Sequence, residues 1–327
     1  MAKTKQQSAA QRREQERQTR QQRTRVAQKG ERNRKGSSNN QTLWFVGGIV
    51  VMVAVIIGGF MIFANISTQK SQEGGPQAYK TVTTLPDDTF SRIGTGNVQS
   101  SPMTYVKNNP ILKGSNGKPE LLYIGGEFCP ICAAQRYMLL AALSRFGTFS
   151  NVSTITSSED QVPTFTFHGA SYKSDYIDFV AKEASDNNQQ PYDTLTTEEN
   201  NIVNKYNKAP YLPNSSPSSI PFMSIANQYV SVGSYYDHTL LIGKSYTDIS
   251  NQLGDTNSDI ARGVVGGANY LTAALCAVTN NQPANVCNSG SIPSLEQTIQ
   301  KASIQNPSGD TLAQSMPTID ADAPRRS

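Results

Sequence analysis

Between Leu121 and Gly147 the chain runs LLYIGGEFCPICAAQRYMLLAALSRFG. The apolar run that ends at Ile124, closed by two glycines, predicts a buried β-strand. After the motif Cys129-Pro130-Ile131-Cys132, apolar residues recur at helical spacing as far as Phe146, and Gly147 suits the position just past a helix end. The sequence therefore predicts a strand, a tight turn and a helix, with a C-x-x-C motif where the turn becomes the helix.

The position of this motif indicates thiol chemistry. Pro130 falls at the first helical position, where its missing N–H costs nothing. Cys129 then stands at the helix N-terminus, where free N–H groups and the positive end of the helix dipole favour thiolate over thiol. Cys132 lies one turn deeper, near enough to close a disulfide. Thiol–disulfide exchange requires an acidic, exposed first cysteine that attacks and a shielded second cysteine that resolves the mixed disulfide.

The composition excludes several classes of protein. The chain has 327 residues, of which 37% are hydrophobic, and its mean hydropathy of −0.46 does not allow repeated membrane spans. Its 24 glycines and 17 prolines lie near average usage, which excludes collagen-like and wholly disordered chains. Charge is unevenly distributed, because residues 1–42 carry a net charge of +9 and the remainder carries −5.

One apolar segment predicts a single membrane anchor. Residues 43–64, LWFVGGIVVMVAVIIGGFMIFA, contain no charge and would form about 33 Å of helix, enough to cross a hydrocarbon core of about 30 Å. A cleaved signal peptide is the alternative, but it would have a shorter apolar region and a shorter basic region. The span makes the lipid bilayer an expected partner.

The basic arm sets the expected orientation of the anchor. Because residues 1–42 directly precede the span, the positive-inside rule assigns them to the cytoplasm as a disordered segment near anionic lipid. Everything after the span then lies outside the cytoplasm, where thiols can be oxidised. The arm has no interleaved aromatic residues, so no nucleic-acid partner is expected.

The chain beyond the span divides into three predicted segments. Residues 65–86 are rich in Gln, Ser and Gly and predict a linker, whereas residues 303–327 have too few apolar residues to pack and predict a disordered tail. The folded domain is expected over residues 87–302. Its predicted later elements are a helix over Thr194–Tyr206, strands over Ile220–Ile225 and Tyr229–Gly233, and a helix over Ile260–Val278.

The segment from Leu121 to Gly147, together with Ile220-Pro221 at the start of a later strand pair, resembles the thioredoxin-fold thiol–disulfide oxidoreductases. The resemblance implies an α/β fold with a mixed central sheet flanked by helices. It also implies that Pro221 is a cis proline which, with Ile220, presents backbone to a substrate strand. About 92 residues separate Cys129 from Pro221, which implies an insertion in the fold.

The chain departs from that superfamily at two positions. Phe128 stands where a tryptophan often precedes the first cysteine, and Tyr123 stands where thioredoxins keep a buried acid. More narrowly, the membrane-anchored arrangement resembles an uncharacterised prokaryotic family of thioredoxin-like domains, the domain of unknown function DUF929. This likeness covers about residues 85–300 and is strongest around the C-x-x-C motif.

Cys276 and Cys287 form a second local pair, eleven positions apart. A structural disulfide is the default interpretation, and closing a loop of about twelve residues would stabilise the fold by roughly 3 kcal/mol in the chain-entropy model. A second redox pair that relays electrons from the first motif is the alternative. A zinc site built from all four thiolates fits less well, because ten residues instead of two to four separate the second pair. Neither a metal nor another cofactor is expected.

Two residues beside the cysteines are candidates for tuning the reaction. Pro130 lies between them, and Glu127, two residues before the nucleophile, either shuttles a proton or is a solvated loop carboxylate. We expect a membrane-anchored, extracytoplasmic thiol–disulfide oxidoreductase that acts on protein thiols or disulfides and is reset by a membrane redox partner. The alternative is a non-catalytic thioredoxin-like module for binding or assembly at the membrane.

Overall fold

The computed structural model describes residues 73–98 and 101–305. The predicted cytoplasmic arm (1–42), the predicted membrane span (43–64) and most of the predicted tail (306–327) lie outside the described residues. Within the described ranges, the helices are all too short or too polar to cross a membrane.

The described residues form a mixed α/β structure. The strands, in chain order, are β1 (Thr104–Lys107), β2 (Glu120–Gly125), β3 (Gly147–Ser150), β4 (Ser153–Thr156), β5 (Pro163–Thr166), β6 (Ser171–Ser174), β7 (Asp178–Glu183), β8 (Phe222–Ile225), β9 (Tyr229–Val232) and β10 (Ser303–Gln305). The helices are α1 (Gly75–Thr83), α2 (Asp87–Ile93), α3 (Pro130–Leu143), α4 (Thr197–Tyr206), α5 (Tyr246–Leu253), α6 (Asp259–Val278), α7 (Ala284–Cys287) and α8 (Ile292–Lys301), with a 3-10 turn over His238–Leu241.

The centre of the structure is a six-stranded mixed sheet in the order β10-β1-β9-β8-β2-β7. Strand β2 lies between β8, which is antiparallel to it, and β7, which is parallel to it. The register places Tyr123 of β2 beside Met223 of β8 and Ala181 of β7. The turn that follows β2, and the C-x-x-C motif after it, therefore start from an interior strand next to the edge strand β7.

Alternate residues of β2 face two separate hydrophobic cores. Leu121 and Tyr123 belong to the larger core, in which α3 packs against α6. Leu122 and Ile124 belong to the smaller core on the other side, which includes residues of α4. Because both faces of the strand are buried, β2 is continuously apolar, as the sequence predicts. The central sheet is thus flanked by helices on both sides.

The chain between α3 and β8 is longer than the sheet alone requires. It contains two small antiparallel pairs, β3 with β6 and β4 with β5, as well as the sheet strand β7 and helix α4. The predicted helix over Thr194–Tyr206 is confirmed from Thr197 onward. Thr196 and Glu199 form a capping box that fixes its start.

Two segments differ from the sequence prediction. Residues 65–86 were expected to be a linker, but α1 lies within them, buries Ala78 and Val82, and packs against α5. These two residues are four apart and form an apolar stripe that the surrounding Gly, Gln and Thr residues conceal. The expected tail from residue 303 also begins with a strand, because β10 pairs in parallel with β1.

Candidate active site around Cys129 and Cys132

The C-x-x-C motif lies where β2 gives way to α3. Cys129 is the N-cap residue of α3, and Pro130 occupies the first helical position, as predicted. The backbone N–H of Cys132 donates a hydrogen bond to the Sγ atom of Cys129 over 3.2 Å. Both cysteines are free thiols in this structure. The sequence thus places a sulfur at the helix N-terminus, where backbone donors can stabilise a negative charge.

The two thiols differ in acidity. The hydrogen bond from the Cys132 thiol is the main cause that lowers the pKa of Cys129. Burial opposes it, while the Cys132 backbone N–H and the charge of Arg136 lower that pKa further. Burial raises the pKa of Cys132 well above that of an ordinary thiol, and the hydrogen bond to Cys129 adds to the effect. The arrangement therefore favours ionisation of the first sulfur and keeps the second protonated.

The exposure of the two sulfurs agrees with the sequence prediction only in part. Cys132 is fully buried, as expected, but Cys129 was expected to be exposed and is only 6% exposed. Two loops are joined to the residues just before Cys129, because the Glu127 N–H donates to the Ser185 carbonyl oxygen and the Glu159 N–H donates to the Phe128 carbonyl oxygen. Both loops come from distant parts of the chain, so local sequence could not reveal these contacts.

Ile220 and Pro221 lie beside the motif. The Ile220–Pro221 peptide bond is cis, as the resemblance implied. Phe222, the residue after Pro221, lies opposite Ile124 of β2. Pro221 therefore adjoins the turn that leads to Cys129. A Cβ atom placed on Gly126 would be 3.1 Å from the Ile220 Cδ1 atom. The fold therefore places these residues beside the turn that leads into the C-x-x-C motif, and their role toward a substrate stays a prediction.

Glu127 differs from the interpretation as a solvated loop carboxylate. It is buried, and its Oε1 atom accepts a hydrogen bond of 2.6 Å from the Thr166 hydroxyl of β5. Thr166 lies 39 positions further along the chain, so this partner could not be inferred from sequence spacing. Glu127 is a fixed part of the wall around the motif.

A buried ion pair beneath the motif was not anticipated from the sequence. The Arg136 Nε and Nη2 atoms of α3 donate to the two carboxylate oxygens of Glu183 on β7, over 2.9 Å and 2.6 Å. The same Nη2 atom donates to the Gly126 carbonyl oxygen over 2.7 Å. Both side chains are fully buried. One signal was available: Arg136 is a charged residue in the otherwise apolar helix, four positions after Cys132.

Cys276 and Cys287 are joined in a disulfide. Cys276 lies in the last turn of α6 and Cys287 ends α7, so the bond ties these two helices together. Both residues are buried. The zinc alternative does not fit this structure, because two of its four thiolates are bonded to each other.

Comparison with protein families identifies one match. The family model of DUF929, a domain of unknown function, matches residues 104–277, more than half of the chain. The matched region runs from β1 to the end of α6 and includes the C-x-x-C motif, the ion pair and Pro221. Searches among curated proteins and among solved structures gave no match. The chain therefore belongs to the DUF929 family.

Proposed function

We propose that this protein is a thiol–disulfide oxidoreductase with a thioredoxin-like fold, which acts on protein cysteines through Cys129 and Cys132. One observation carries the proposal. The Sγ atom of Cys129 stands at the start of α3, accepts a backbone hydrogen bond from Cys132 and has a lowered pKa, while the pKa of Cys132 is raised. A nucleophilic thiolate beside a protonated resolving thiol is the functional unit of exchange chemistry.

The topology supports the thioredoxin-like assignment. Strand β2, the motif, α3 and the parallel strand β7 are followed by the antiparallel pair β8 and β9, which Ile220-Pro221 precedes, and later by the long helix α6. The sequence resemblance rests on β2, the motif and α3, and on Ile220-Pro221 before the strand pair. All four strands are neighbours in one sheet, in the order β9-β8-β2-β7.

The proposed reaction uses only these two sulfurs and a substrate disulfide. The Cys129 thiolate attacks one substrate sulfur, a mixed disulfide forms, and the other substrate sulfur leaves as a thiolate that takes up a proton. Cys132 then loses its proton and attacks the Cys129 sulfur. The Cys129–Cys132 disulfide forms, and the second substrate sulfur leaves and is protonated. The substrate is reduced and the protein oxidised; a dithiol substrate and the oxidised motif give the reverse reaction.

An extracytoplasmic site of action is part of the proposal. The Cys276–Cys287 disulfide supports it, because such bonds persist mainly in oxidising compartments. The membrane anchor over residues 43–64, which rests on the sequence, would hold the domain near the bilayer. There a membrane redox partner would reset Cys129 and Cys132.

The test is capture of the mixed disulfide by the full-length protein. Cys132→Ala removes the resolving thiol, so a peptide with an internal disulfide should remain attached to Cys129 and be detected by mass spectrometry. Cys129→Ala is the matched control and should capture nothing. Wild type should release the peptide with both of its sulfurs reduced. If Cys132→Ala is folded and forms no adduct, the proposal is wrong.

The small exposure of Cys129 favours a second candidate function, a thioredoxin-like module that binds polypeptides without exchange. A cysteine that is only 6% exposed presents little surface to a substrate disulfide. Under this alternative, the Cys129→Ala/Cys132→Ala variant would bind a polypeptide partner as tightly as wild type. The Cys132→Ala variant would then capture no peptide.

A further inference from the structure

The ion pair of Arg136 and Glu183 lies directly behind the reactive sulfurs. On α3, Arg136 follows Cys132 by four residues, so the two side chains share one face of the helix. The hydrogen bond from Arg136 to the Gly126 carbonyl ties the guanidinium to the turn that leads to Cys129. The charge is thus held between the helix that carries Cys132 and the turn that carries Cys129.

This guanidinium has donors that the folded protein does not use. Its Nε and Nη2 atoms are bonded to Glu183 and Gly126, but the buried Nη1 atom has no hydrogen-bond partner among residues 73–98 and 101–305. The hydroxyl of Tyr123, which is also buried, likewise has none within those ranges. Unpartnered buried donors are unfavourable and rare in folded proteins. A donor of this kind is stabilising only when an additional negative charge forms nearby.

The exchange reaction creates such a charge. Cys132 is protonated at rest and must become a thiolate when it attacks the mixed disulfide, although its sulfur is fully buried. Burial of a thiolate without a neighbouring cation would make this step slow. A preorganised positive charge that acts mainly on the ionised state accelerates a reaction without any rearrangement of the protein.

We propose that Arg136 is a positioning residue for the exchange reaction, which stabilises the thiolate of Cys129 at rest and the thiolate of Cys132 during resolution. In this role Glu183 orients the guanidinium through its two hydrogen bonds. This inference rests on the proposed function. The proton that Cys132 loses ends on the departing substrate sulfur, so no further reactant is needed.

The charged and titratable groups around the sulfurs come from several elements. Arg136 of α3 lowers the pKa of both thiols, and Glu183 of β7 raises the pKa of Cys132. Tyr123 of β2 and Tyr246 of α5 interact electrostatically with Arg136, and burial keeps the pKa of each phenol raised. At Cys132 the effect of Arg136 is larger than the opposing effect of Glu183, so removal of both charges together should still disfavour the Cys132 thiolate.

The experiment uses the full-length protein and an aromatic disulfide reagent, dithiobis(nitrobenzoate), whose released thiolate is coloured. Attack by Cys129 releases the first coloured thiolate, and attack by Cys132 releases the second. The rate of the second phase therefore measures resolution. The Arg136→Met/Glu183→Gln variant removes the ion pair without leaving one buried charge unpaired. We expect its second phase to be about tenfold slower at neutral pH, and the alkylation profile of Cys129 to move about one pH unit higher.

Two further variants keep the inference open to refutation. Arg136→Lys retains the charge without the two-pronged hydrogen bonding and should give an intermediate rate. Arg145→Met is the matched control, because it removes another nearly buried arginine, which contacts Asp87 and Phe90, and should leave both phases unchanged. If the folded double variant resolves as fast as wild type, Arg136 has no such role. If the double variant does not fold, a wild-type rate in Arg136→Lys, for which an intermediate rate is expected, leads to the same conclusion.

The two proposals fail in different ways. If the Cys132→Ala variant captures a peptide disulfide but the Arg136 variants behave like wild type, only the role of Arg136 is wrong. If wild type releases no coloured thiolate through Cys129 and the folded Cys132→Ala variant captures no peptide, the proposed exchange function itself is wrong.

Discussion

The chain carries two pairs of cysteines, which lie at opposite ends of helices and differ in chemical state. Cys129 and Cys132, the open pair, are free thiols at the beginning of α3. Cys276 and Cys287, the closed pair, are bonded to each other at the ends of α6 and α7. All four residues are buried, so burial does not separate the two pairs. The difference must come from which end of a helix each sulfur occupies and from the groups beside it.

A helix N-terminus offers free N–H groups and the positive end of the dipole, whereas a C-terminus offers carbonyl oxygens and the negative end. The Cys129 sulfur accepts a backbone N–H bond and lies near the charge of Arg136. Cys276 lies in the last turn of α6, where the negative end of the helix dipole disfavours an ionised sulfur. A thiolate is therefore favoured in the open pair, whereas the closed pair suits a permanent bond between two helices.

The largest expected effect of this difference is on activity. Cys129→Ser should abolish reduction of a peptide disulfide, because a hydroxyl cannot replace a thiolate as the attacking group. The Cys276→Ala/Cys287→Ala variant should retain the wild-type rate at temperatures where it is folded. The rate of thiol release from the peptide measures both. A loss of activity in the folded Cys276/Cys287 variant would make the closed pair a second redox centre.

The next largest effect is on stability, to which the closed pair and not the open pair should contribute. The Cys276→Ala/Cys287→Ala variant should lose about 3 kcal/mol of unfolding free energy, because it no longer constrains the unfolded chain through this short loop. Urea unfolding followed by circular dichroism measures the change. The matched variant Cys129→Ala/Cys132→Ala removes no covalent bond from the reduced protein and should unfold within about 1 kcal/mol of wild type. Equal losses in the two variants would contradict the structural role of the closed pair.

A smaller effect concerns pH. The folded protein lowers the pKa of Cys129 below that of the unfolded chain, so in the pH range between the two pKa values the unfolded state binds more protons. The ionised Cys129 therefore contributes stability that is fully present above the unfolded pKa and is lost as pH falls through the folded pKa. The difference in unfolding free energy between the anaerobically reduced wild type and Cys129→Ser should grow as pH rises toward the pKa of an ordinary thiol, about 8.5, and then level off. A constant difference would mean that Cys129 has the acidity of an ordinary thiol.

The open pair shows how far the sequence alone can lead. Its place between strand and helix, the cap position of Cys129 and the first helical position of Pro130 follow from spacing and from the conformational limits of proline. A mixed α/β structure with a central sheet was also predictable, because apolar runs and helical periodicity are local properties. Helix α1 was missed because two buried residues in a polar segment give only a weak signal.

The features that control the chemistry of the open pair are largely non-local. Glu183 lies 47 positions after Arg136, and the loops that are hydrogen-bonded to the residues just before Cys129 contain Glu159 and Ser185. Such partners are chosen by the tertiary fold and not by sequence spacing. The sequence therefore predicted which sulfur lies at the helix N-terminus, but not its small exposure or the ion pair beneath it.

The smallest expected effect concerns Glu127. It tests which charged side chain is responsible for the acidity of the open pair. Arg136, and not Glu127, is the charged side chain that shifts the pKa of Cys129, while the Glu127 carboxylate is occupied by the Thr166 hydroxyl. Glu127→Gln should therefore leave the pH profile of Cys129 alkylation unchanged and lower the unfolding free energy by about 1 kcal/mol, since a neutral acceptor replaces a charged one. Thr166→Val, which leaves the buried carboxylate without this donor, should lower it by about 2 kcal/mol. A shift of the alkylation profile in Glu127→Gln would instead make Glu127 a tuning residue. The acidity of the open pair would then depend on Glu127 as well as on the ion pair of Arg136 and Glu183.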